Sequence, residues 1–436
     1  MSVVKVERLN DISPERRRDI MQRSMDDVTD VFGDVRDTVL DIRDRGDIVS
    51  VDHYRKLKED ITDADIRATD EEIADAYKTV DQEVVDALKF AAENIRKFHA
   101  AQLEREMWSI EVLPGVLAGQ MVRPLDSVGC YVPGREATYP SSVLMTILPA
   151  KVAGVEKVYA ATPPGDGMKA NPATLVAADI AECDGVFKIG GPWGVGSLAY
   201  GTGVVPKVDK IVGPGNKYVT AAKMAVFGIV DIDSPAGPSE ILILADETAN
   251  PDWLAIDYLS QVEHDKDAAS VLVTADANLA QAVCDKINAE FATLPRTDYI
   301  GPALENNSAI FVTDTFEEAI EFTNEYAAEH LEIVTKEPVS VLPKIKHAGS
   351  IFLGPYAPVP VGDYASGTNH VLPTGQCARM FNGLATDDFV KRPTFQLVSK
   401  EGLETLAPAV MTIATAEGLP LHRETVRRRL EGGQEE

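Results

Sequence analysis

The chain has 436 residues, enough for more than one domain, and its 45% hydrophobic residues are an ordinary globular share that can fill a large core. The 42 Lys+Arg against 69 Asp+Glu give a net charge of −27, which disfavours nucleic acid and anionic membranes because phosphate binding needs clustered cations. No apolar run approaches the roughly 20 residues of a membrane span, and the N-terminus lacks the apolar core of a signal peptide. Four dispersed cysteines without a C-x-x-C motif indicate reduced thiols in a cytoplasmic protein.

The first hundred residues have the pattern of helices. In SPERRRDIMQRSM, Ser13 stands as an N-cap before Pro14, which predicts that a helix begins there. The stretch TDEEIADAYKTVDQEVVDALKFAAENIRKFHAAQ carries apolar residues at three- and four-residue spacing, which predicts a long amphipathic helical region.

From about Trp108 onward, short apolar strands alternate with helical stretches. The first series of strands is VGCYVP, KVYAAT, VFKIGG and DKIVGPGN, and a second series after Pro238 is ILILAD, SVLVTAD, AIFVTD, LEIVT and SIFLG. This rhythm predicts an α/β fold with two tandem, doubly wound (Rossmann-like) domains whose sheets are largely parallel. After about Leu384 the chain is expected to be helical again and to end in an exposed tail.

A glycine-rich stretch, GGPWGVGSLAYGTG, follows the predicted strand VFKI. Its Gly194-x-Gly196-x-x-Ala199 spacing fits a loose dinucleotide fingerprint, in which glycines let backbone N–H groups approach a pyrophosphate. The acidic residue expected at the end of the next strand is absent, and an ordinary tight turn explains the same glycines.

Only seven histidines occur, and four of them have an amide or a carboxylate side chain a few residues earlier in the sequence. His53, His99 and His347 are expected to be surface groups. His264 follows Gln261 by three residues, so a helix would place the two side chains on one face. The other three follow carboxylates: His330 after Glu329, His370 after Asp363 and His422 after Glu417.

Singly, each of these histidines is more often a satisfied structural group than a ligand. Together they offer nitrogen and oxygen donors without cysteine, a set that suits zinc with an open coordination position. No H-E-x-x-H motif occurs, so a zincin protease is unsupported. Glu329 and His330 would supply a proton acceptor and a group able to activate water.

Several stretches in register closely resemble the histidinol dehydrogenases, and they cover most of the chain from Val128 to His422. They are VDKIVGPGNKYV, AGPSEILILAD, LSQVEHD, AAEHLEI, AGSIFLG, GDYASGTNHVLPT and AEGLPLH. The resemblance implies a zinc- and NAD-dependent homodimer of histidine biosynthesis. It implies oxidation of L-histidinol through the aldehyde to L-histidine, with reduction of two NAD.

The resemblance also implies roles for individual residues. Glu329 and His330 would be catalytic, and one zinc per subunit would be held by Gln261, His264, Asp363 and His422, the last donated by the other subunit. The substrate would contact Ser239, His370 and Glu417 together with His330 and the four zinc ligands. NAD would contact Tyr131, Trp193 and Asn216.

The resemblance and the strand pattern give one division of the chain. Residues 1–28 form a helical segment, residues 29–107 and 240–383 an α/β domain with most zinc and catalytic residues, and residues 108–239 an NAD-binding α/β domain. Residues 384–436 form a helical arm exchanged across the dimer.

Two positions depart from the family pattern. Trp193 stands where many members have a glutamine that touches NAD, and Val359 stands where many have a glutamate that recognises histidinol. Val359 favours an alternative substrate, another small amino alcohol or a diol, whereas Ser239, His370 and Glu417 favour histidinol. A third hypothesis is a nucleotide-binding regulatory protein without catalysis. It predicts that a zinc ligand or the catalytic base is replaced by another residue type, and the sequence contains no such replacement.

Overall fold

The computed structural model describes residues 3–23, 28–57, 61–134, 138–234, 237–295 and 297–432. The chain divides into two compact units. Unit 1 comprises residues 1–102 and 125–389, and unit 2 comprises residues 103–124 and 390–436.

The strands are short, as is usual for α/β proteins. In chain order they are β1 (Val6–Arg8), β2 (Met107–Leu113), β3 (Val116–Met121), β4 (Arg123–Pro124), β5 (Ser127–Tyr131), β6 (Lys157–Ala161), β7 (Gly185–Phe187), β8 (Lys210–Val212), β9 (Asp231–Ile232), β10 (Glu240–Ala245), β11 (Ala269–Thr274), β12 (Ala309–Val312), β13 (His330–Val334), β14 (Ser350–Leu353), β15 (Val390–Lys391) and β16 (Thr394–Val398).

The α-helices connect these strands and cover the sheets. They are α1 (Pro14–Gln22), α2 (Thr29–Arg45), α3 (Asp47–Lys56), α4 (Asp70–Thr79), α5 (Gln82–Ala100), α6 (Pro140–Val152), α7 (Pro172–Ile180), α8 (Gly191–Tyr200), α9 (Lys217–Val226), α10 (Pro251–Val262), α11 (Ala277–Phe291), α12 (Thr297–Asn306), α13 (Phe316–Tyr326), α14 (Pro338–Val341), α15 (Val359–Tyr364), α16 (Lys400–Ala416) and α17 (Pro420–Glu431).

Unit 1 contains both parallel sheets, which confirms the predicted α/β fold. The first sheet has the order β7-β6-β5-β8-β9, so the chain starts in the middle and builds outward to both edges. The second sheet, β1-β12-β11-β10-β13-β14, repeats that order and adds the N-terminal strand β1 beside β12. All the paired strands of both sheets run parallel, as doubly wound topology requires.

Each parallel sheet is buried on both faces. On the first sheet, Val128 and Cys130 of β5 pack with α5, α6 and α7, whereas Tyr131 packs on the opposite face with α2, α8 and α9. On the second sheet, Ile241 of β10 packs with α10, α11 and α12, and Leu242 packs with α1 and α13. The alternation of side chains along a strand produces these two cores per sheet.

The N-terminal helices differ from the predictions in the sheet that they cover and in their number. Helices α2, α4 and α5 pack on the first sheet, not on the second sheet with which residues 29–107 were grouped. The long helical region is two helices, because α4 ends at Thr79 and α5 begins at Gln82. Amphipathic spacing identifies a buried face but carries no information about which sheet covers it. At α1 the prediction is confirmed, since the Ser13 side chain accepts a hydrogen bond from Arg16 N.

Unit 2 is built from two distant parts of the chain. Strand β3 pairs with β2 on one side and with β16 on the other in an antiparallel sheet, and β4 pairs with β15. Helices α16 and α17 follow and pack on each other. Residues 108–124 therefore do not belong to the first parallel sheet, and the C-terminal arm begins with strands before it becomes helical. Among the described residues, no helix is long and apolar enough to cross a membrane.

Candidate active site

A cavity of about 910 Å³ lies within unit 1 between residues of the two parallel sheets. From the first sheet it is lined beyond the carboxyl ends of strands, by Tyr131 of β5, Gly190 after β7 and Gly213 after β8. From the second sheet it is lined before the amino ends of strands, by Ser239 ahead of β10 and Glu329 ahead of β13. The strand order of the first sheet reverses between β5 and β8, which is where doubly wound folds bind ligands.

Two helix N-termini reach this cavity from the first sheet. Helix α8 begins at Gly191, whose N–H donates to the Tyr131 hydroxyl at 2.9 Å, and the preceding Gly190 N–H donates to the Tyr54 hydroxyl at 2.9 Å. Helix α9 is capped by Asn216, whose side-chain oxygen accepts from the next turn. The helix dipole gives such ends a positive potential that suits phosphate. Tyr131 and Asn216 of this wall were predicted from the sequence as NAD contacts, whereas Tyr54 was not predicted to lie here.

The glycines of the loose fingerprint have a packing role instead. Gly194 and Gly196 lie inside α8, and a Cβ would stand 2.7 Å from the Ile189 carbonyl oxygen at the first and 2.8 Å from Ile42 Cδ1 at the second. They allow the helix to approach β7 and α2 closely. The residues of α8 that line the cavity are Gly191, Trp193 and their neighbour Pro192.

Gly213, in the cavity wall, occupies a position where the backbone conformation and the close packing both require glycine. Its φ is +118°, and a Cβ there would lie 2.1 Å from the Tyr131 carbonyl oxygen. Only glycine meets both conditions, so the chain can leave β8 and pass directly beside β5 at the cavity.

Trp193 also lines the cavity, and its indole stacks on the ring of His53. The ring centroids are 3.5 Å apart with 22° between the planes. His53 was predicted to be a surface group, and the structure places it in the cavity wall instead. The contact joins α3 to α8, positions about 140 residues apart, which local spacing does not reveal.

Gln261 and His264 lie at the carboxyl end of α10. Gln261 is in the last turn and is 1% exposed, and its amide nitrogen lacks a hydrogen-bond partner among the described residues. Helix α10 ends at Val262, so His264 lies just beyond the helix and not on it, in contrast to the expected shared helical face. His264 lines the cavity from this position.

Asp363 joins the same region from α15. Its Oδ1 lies 3.6 Å from His330 Nε2, and its charge interacts with His264 and His370. Burial opposes ionisation, but His330 and the other histidines outweigh it and lower the pKa of Asp363. One carboxylate thus faces three imidazoles around a single space.

Glu329 and His330 stand at the amino end of β13, beside β10. His330 Nδ1 lies 2.9 Å from the carbonyl oxygen of Glu240 and 3.6 Å from Glu329 Oε2. A carbonyl oxygen only accepts, so Nδ1 carries the hydrogen, and in the neutral ring Nε2 is the basic nitrogen facing Asp363.

The pKa values of Glu329 and His330 differ from those of ordinary exposed side chains. Burial raises the pKa of Glu329 to about 7, a shift that His330 reduces. Burial alone would lower the pKa of His330, but the carboxylates of Glu329 and Asp363 raise it to about 9. Shifts of this kind, caused by burial and specific charge partners within a cavity, are typical of acid–base sites.

His370 and Ser239 complete the cavity wall near this pair. Burial lowers the pKa of His370, and its Nε2 is buried without a hydrogen-bond partner among the described residues. The adjacent Asn369 side chain donates to the Met145 carbonyl at 2.8 Å and lies 3.4 Å from His99 Nε2. His99, predicted as a surface group, is fully buried and supports this loop.

Glu417 and His422 belong to unit 2. Glu417 is the C-cap of α16, and His422 lies in the first turn of α17. Both side chains are exposed. The structure thus gathers His264, Asp363, His330, Glu329 and His370 around one cavity of unit 1, and these two residues form part of a separate unit.

The donors in unit 1 fit a zinc ion. Gln261, His264 and Asp363 offer one amide oxygen, one imidazole and one carboxylate, donors of the kind that zinc accepts, and His264 and Asp363 line the cavity. Within the described ranges no group of three or more His, Cys, Asp and Glu has a metal-holding arrangement. Of the three zinc ligands predicted in unit 1, only His264 and Asp363 belong to these four residue types, because the third ligand is Gln261.

Comparisons with known proteins agree over nearly the whole chain. A family model described as histidinol dehydrogenase matches residues 21–430. Histidinol dehydrogenase of Methanocaldococcus jannaschii is 49% identical over 425 residues, which are 98% of each chain. That of Methanothermobacter thermautotrophicus is 47% identical over 426 residues, 97% of this chain and 99% of its own.

A comparison of the whole fold with solved structures finds the same family. The crystal structure of histidinol dehydrogenase from Elizabethkingia anophelis matches with a TM-score of 0.93 and 38% identity, and the match covers 99% of each chain. The chain therefore belongs to the histidinol dehydrogenase family, the zinc- and NAD-dependent oxidoreductases that act on histidinol in histidine biosynthesis.

Proposed function

We propose that this chain carries out the complete four-electron oxidation of L-histidinol to L-histidine through a bound aldehyde, with two NAD reduced per turnover. The observation that supports it is the adjacent pair of Glu329 and His330 in a cavity that also has two helix N-termini on its opposite wall. A dinucleotide phosphate and a small amino alcohol can both be accommodated in about 910 Å³.

Gln261, His264 and Asp363 would hold one zinc ion per subunit, with His422 of the partner subunit as the fourth ligand. When bound, zinc supplies a template and a Lewis acid for the amino alcohol, and NAD supplies the hydride acceptor. Ser239, His370 and Glu417 would contact the substrate beside His330 and the zinc ligands. Ser239 and His370 line the cavity, so a substrate between them would be within reach of His330.

His330 would remove the hydroxyl proton of histidinol in the first oxidation. Its Nδ1–H donates to the Glu240 carbonyl, which fixes the ring, and Nε2 accepts the proton once it has released its own, a release that becomes more complete as the pH rises toward the raised pKa of about 9. The position of Asp363, 3.6 Å from Nε2, would stabilise the imidazolium that forms.

Glu329 would take a proton from the water that attacks the aldehyde. Its carboxylate is fixed by the Glu240 N–H at 2.9 Å, and its pKa of about 7 leaves it able both to accept and to release a proton near neutral pH. His330 would serve again as base when the hydrated aldehyde is oxidised to the carboxylate.

Tyr131, Trp193 and Asn216 would contact NAD from the first sheet. All three line the cavity. The Tyr131 hydroxyl accepts from the Gly191 N–H, and the Asn216 side chain caps α9, so both residues also shape the helix ends that face a phosphate.

A first prediction concerns this NAD wall. Tyr131→Phe removes a hydroxyl that lines the cavity and fixes the first turn of α8, so the KM for NAD should rise by about three- to tenfold, the effect of roughly 1 kcal/mol. Steady-state kinetics should show an unchanged KM for histidinol. Tyr77→Phe is the matched control, because the Tyr77 hydroxyl bonds Asp179 at 2.7 Å outside the cavity. Equal NAD kinetics in Tyr131→Phe and Tyr77→Phe would remove Tyr131 from the NAD wall.

A second prediction concerns zinc content. The purified protein should contain about one zinc per chain, and His264→Ala should lose it while keeping the fold, because His264 lies beyond α10 and is not packed in its core. Elemental analysis and circular dichroism provide the two measurements. His347→Ala is a control histidine that lies outside the cavity lining. Full zinc content in His264→Ala would exclude His264 as a ligand.

A third prediction separates the two oxidations. With histidinaldehyde supplied as substrate, the rate should rise with pH through about 7, since Glu329 accepts a proton only after its raised pKa is passed. Glu329→Gln should slow this oxidation by roughly 10²- to 10⁴-fold and abolish that pH dependence. The exposed Glu321→Gln should leave the profile unchanged. An unaltered pH profile in Glu329→Gln contradicts the role of Glu329 as base.

We also propose a homodimer whose active sites are shared, with Glu417 and His422 acting in the partner's site. The support comes from unit 2, where large apolar side chains are exposed, as expected for a surface that another subunit covers. They include Met107, Trp108, Ile110, Val112, Leu397, Ile413 and Leu421. His422 is exposed on the same unit and is free to serve a second chain.

A fourth prediction tests the sharing of sites. His422→Ala and His330→Ala should each be inactive alone, and activity should return when the two proteins are mixed and exchange subunits. One site of each hybrid dimer then combines an intact His330 with an intact His422, which restores about a quarter of all sites after random exchange. If His422 serves its own subunit, every site keeps one lesion and mixing restores nothing.

The alternative of a different small alcohol rested on Val359, and the structure gives it no support. The Val359 side chain is buried in the core between α10 and the second sheet, and it does not line the cavity. We propose a cytoplasmic location because all four cysteines are free thiols.

A further inference from the structure

Glu240 is in direct contact with both proposed catalytic residues. It is the first residue of β10 and is 2% exposed. Its backbone N–H donates to Glu329 Oε2 at 2.9 Å, and its own Oε1 accepts from the Glu329 N–H at 3.0 Å. Its carbonyl oxygen accepts from His330 Nδ1 at 2.9 Å. One residue therefore fixes the backbone and the side chain of Glu329 and the ring of His330.

Arg23 holds the carboxylate of Glu240 in turn. Arg23 caps the end of α1, and its Nε lies 2.9 Å from Glu240 Oε2, with both side chains almost fully buried. The guanidinium carbon lies 3.6 Å from the ring centroid of Tyr326, and Nη2 donates to the Tyr326 carbonyl oxygen. Arg23 also has a φ of +53°, an unfavourable value for a residue with a side chain.

Stability alone is a poor explanation for such a pair. Removing two charges from water costs free energy that a buried ion pair recovers only in part, and apolar residues of the same size are often at least as stabilising. A role in geometry explains the pair better, because Glu240 makes hydrogen bonds to both Glu329 and His330, in addition to one with the backbone of Gly375.

We propose that Arg23 and Glu240 are positioning residues, which hold Glu329 and His330 in the geometry for proton transfer. The inference rests on the proposed catalytic roles of that pair. The Arg23 guanidinium anchors the Glu240 carboxylate, so that Oε1 remains aligned with the Glu329 N–H. The Glu240 backbone then directs the Glu329 carboxylate, and its carbonyl directs His330 Nε2 toward the cavity.

The test uses the zinc-loaded enzyme with L-histidinol and NAD. Glu240→Gln and Arg23→Met each leave one buried charge without its partner, whereas the double variant removes both charges and keeps an amide oxygen for the Glu329 N–H. Glu240→Asp is a milder change, because it keeps the charge and withdraws the acceptor from Glu329. Lys210→Met is the control, since Lys210 is another buried cation, 3.0 Å from Asp231, at the end of β8 remote from the cavity lining.

Each single variant should lose about ten- to a hundredfold in kcat, the usual effect of a small misplacement of catalytic groups, while the KM for histidinol changes less than about threefold. The double variant should recover at least about tenfold over the worse single variant, because no unpaired charge displaces Glu240. Zinc content should stay at the wild-type value throughout. Lys210→Met should lose thermal stability and keep its kcat.

A kcat within about twofold of Lys210→Met in folded Glu240→Gln and Arg23→Met overturns the proposal, whatever their loss of stability. If either protein fails to fold, Glu240→Asp is judged by the same criterion. Glu329→Gln and His330→Asn distinguish this failure from failure of the proposed function. If those two variants keep wild-type kcat, the catalytic roles are wrong; if they lose it while Glu240→Asp does not, only the positioning role is wrong.

Discussion

The parallel pairing of β10 with β13 is the interaction on which the chemistry of this molecule rests. The register places His330 opposite Ile241, so the backbone of Glu240 lies level with Glu329 and bonds both members of the proposed acid–base pair. Both bonds join a side chain to the backbone of Glu240, and the pairing of the two buried strands fixes where that backbone lies. The proposed acid–base groups, held in this way, would need little reorganisation when the substrate binds.

The two sheets contribute opposite ends of their strands to one cavity. The first sheet supplies glycine-rich turns and helix N-termini, which suit the phosphates of a dinucleotide. The second sheet supplies ionisable and polar side chains at the amino ends of its strands, where Glu329, His330 and Ser239 lie. The proposed NAD contacts and the proposed acid–base groups therefore lie on two halves of similar topology, a division that one sheet with one ligand-binding edge would not provide.

Local sequence features predicted the elements well. The alternation of apolar strands with helices predicted both parallel sheets, and Ser13 before Pro14 predicted the start of α1. The family was predictable because its motifs are long and occur in order, and the family match confirms it. Glu329 and Asp363, which lie within those motifs, line one cavity, and their roles stay predictions.

Long-range contacts were not predictable in the same way. His99 is polar on an amphipathic helix and gave no signal of its contact with Asn369, 270 positions away. Arg23 lies in a charged segment typical of a surface, yet it is buried against Glu240. A charged residue opening the apolar strand EILILA was the one available signal for Glu240, since burial of a carboxylate demands a partner.

The decisive measurement is the number of NADH molecules formed for each L-histidinol consumed by the purified, zinc-loaded protein. A site that keeps the aldehyde bound between two oxidations should form two NADH and one L-histidine, with no aldehyde trapped by an added carbonyl reagent. One NADH per histidinol, with the aldehyde recovered in the trap, would contradict a single cavity that performs both oxidations.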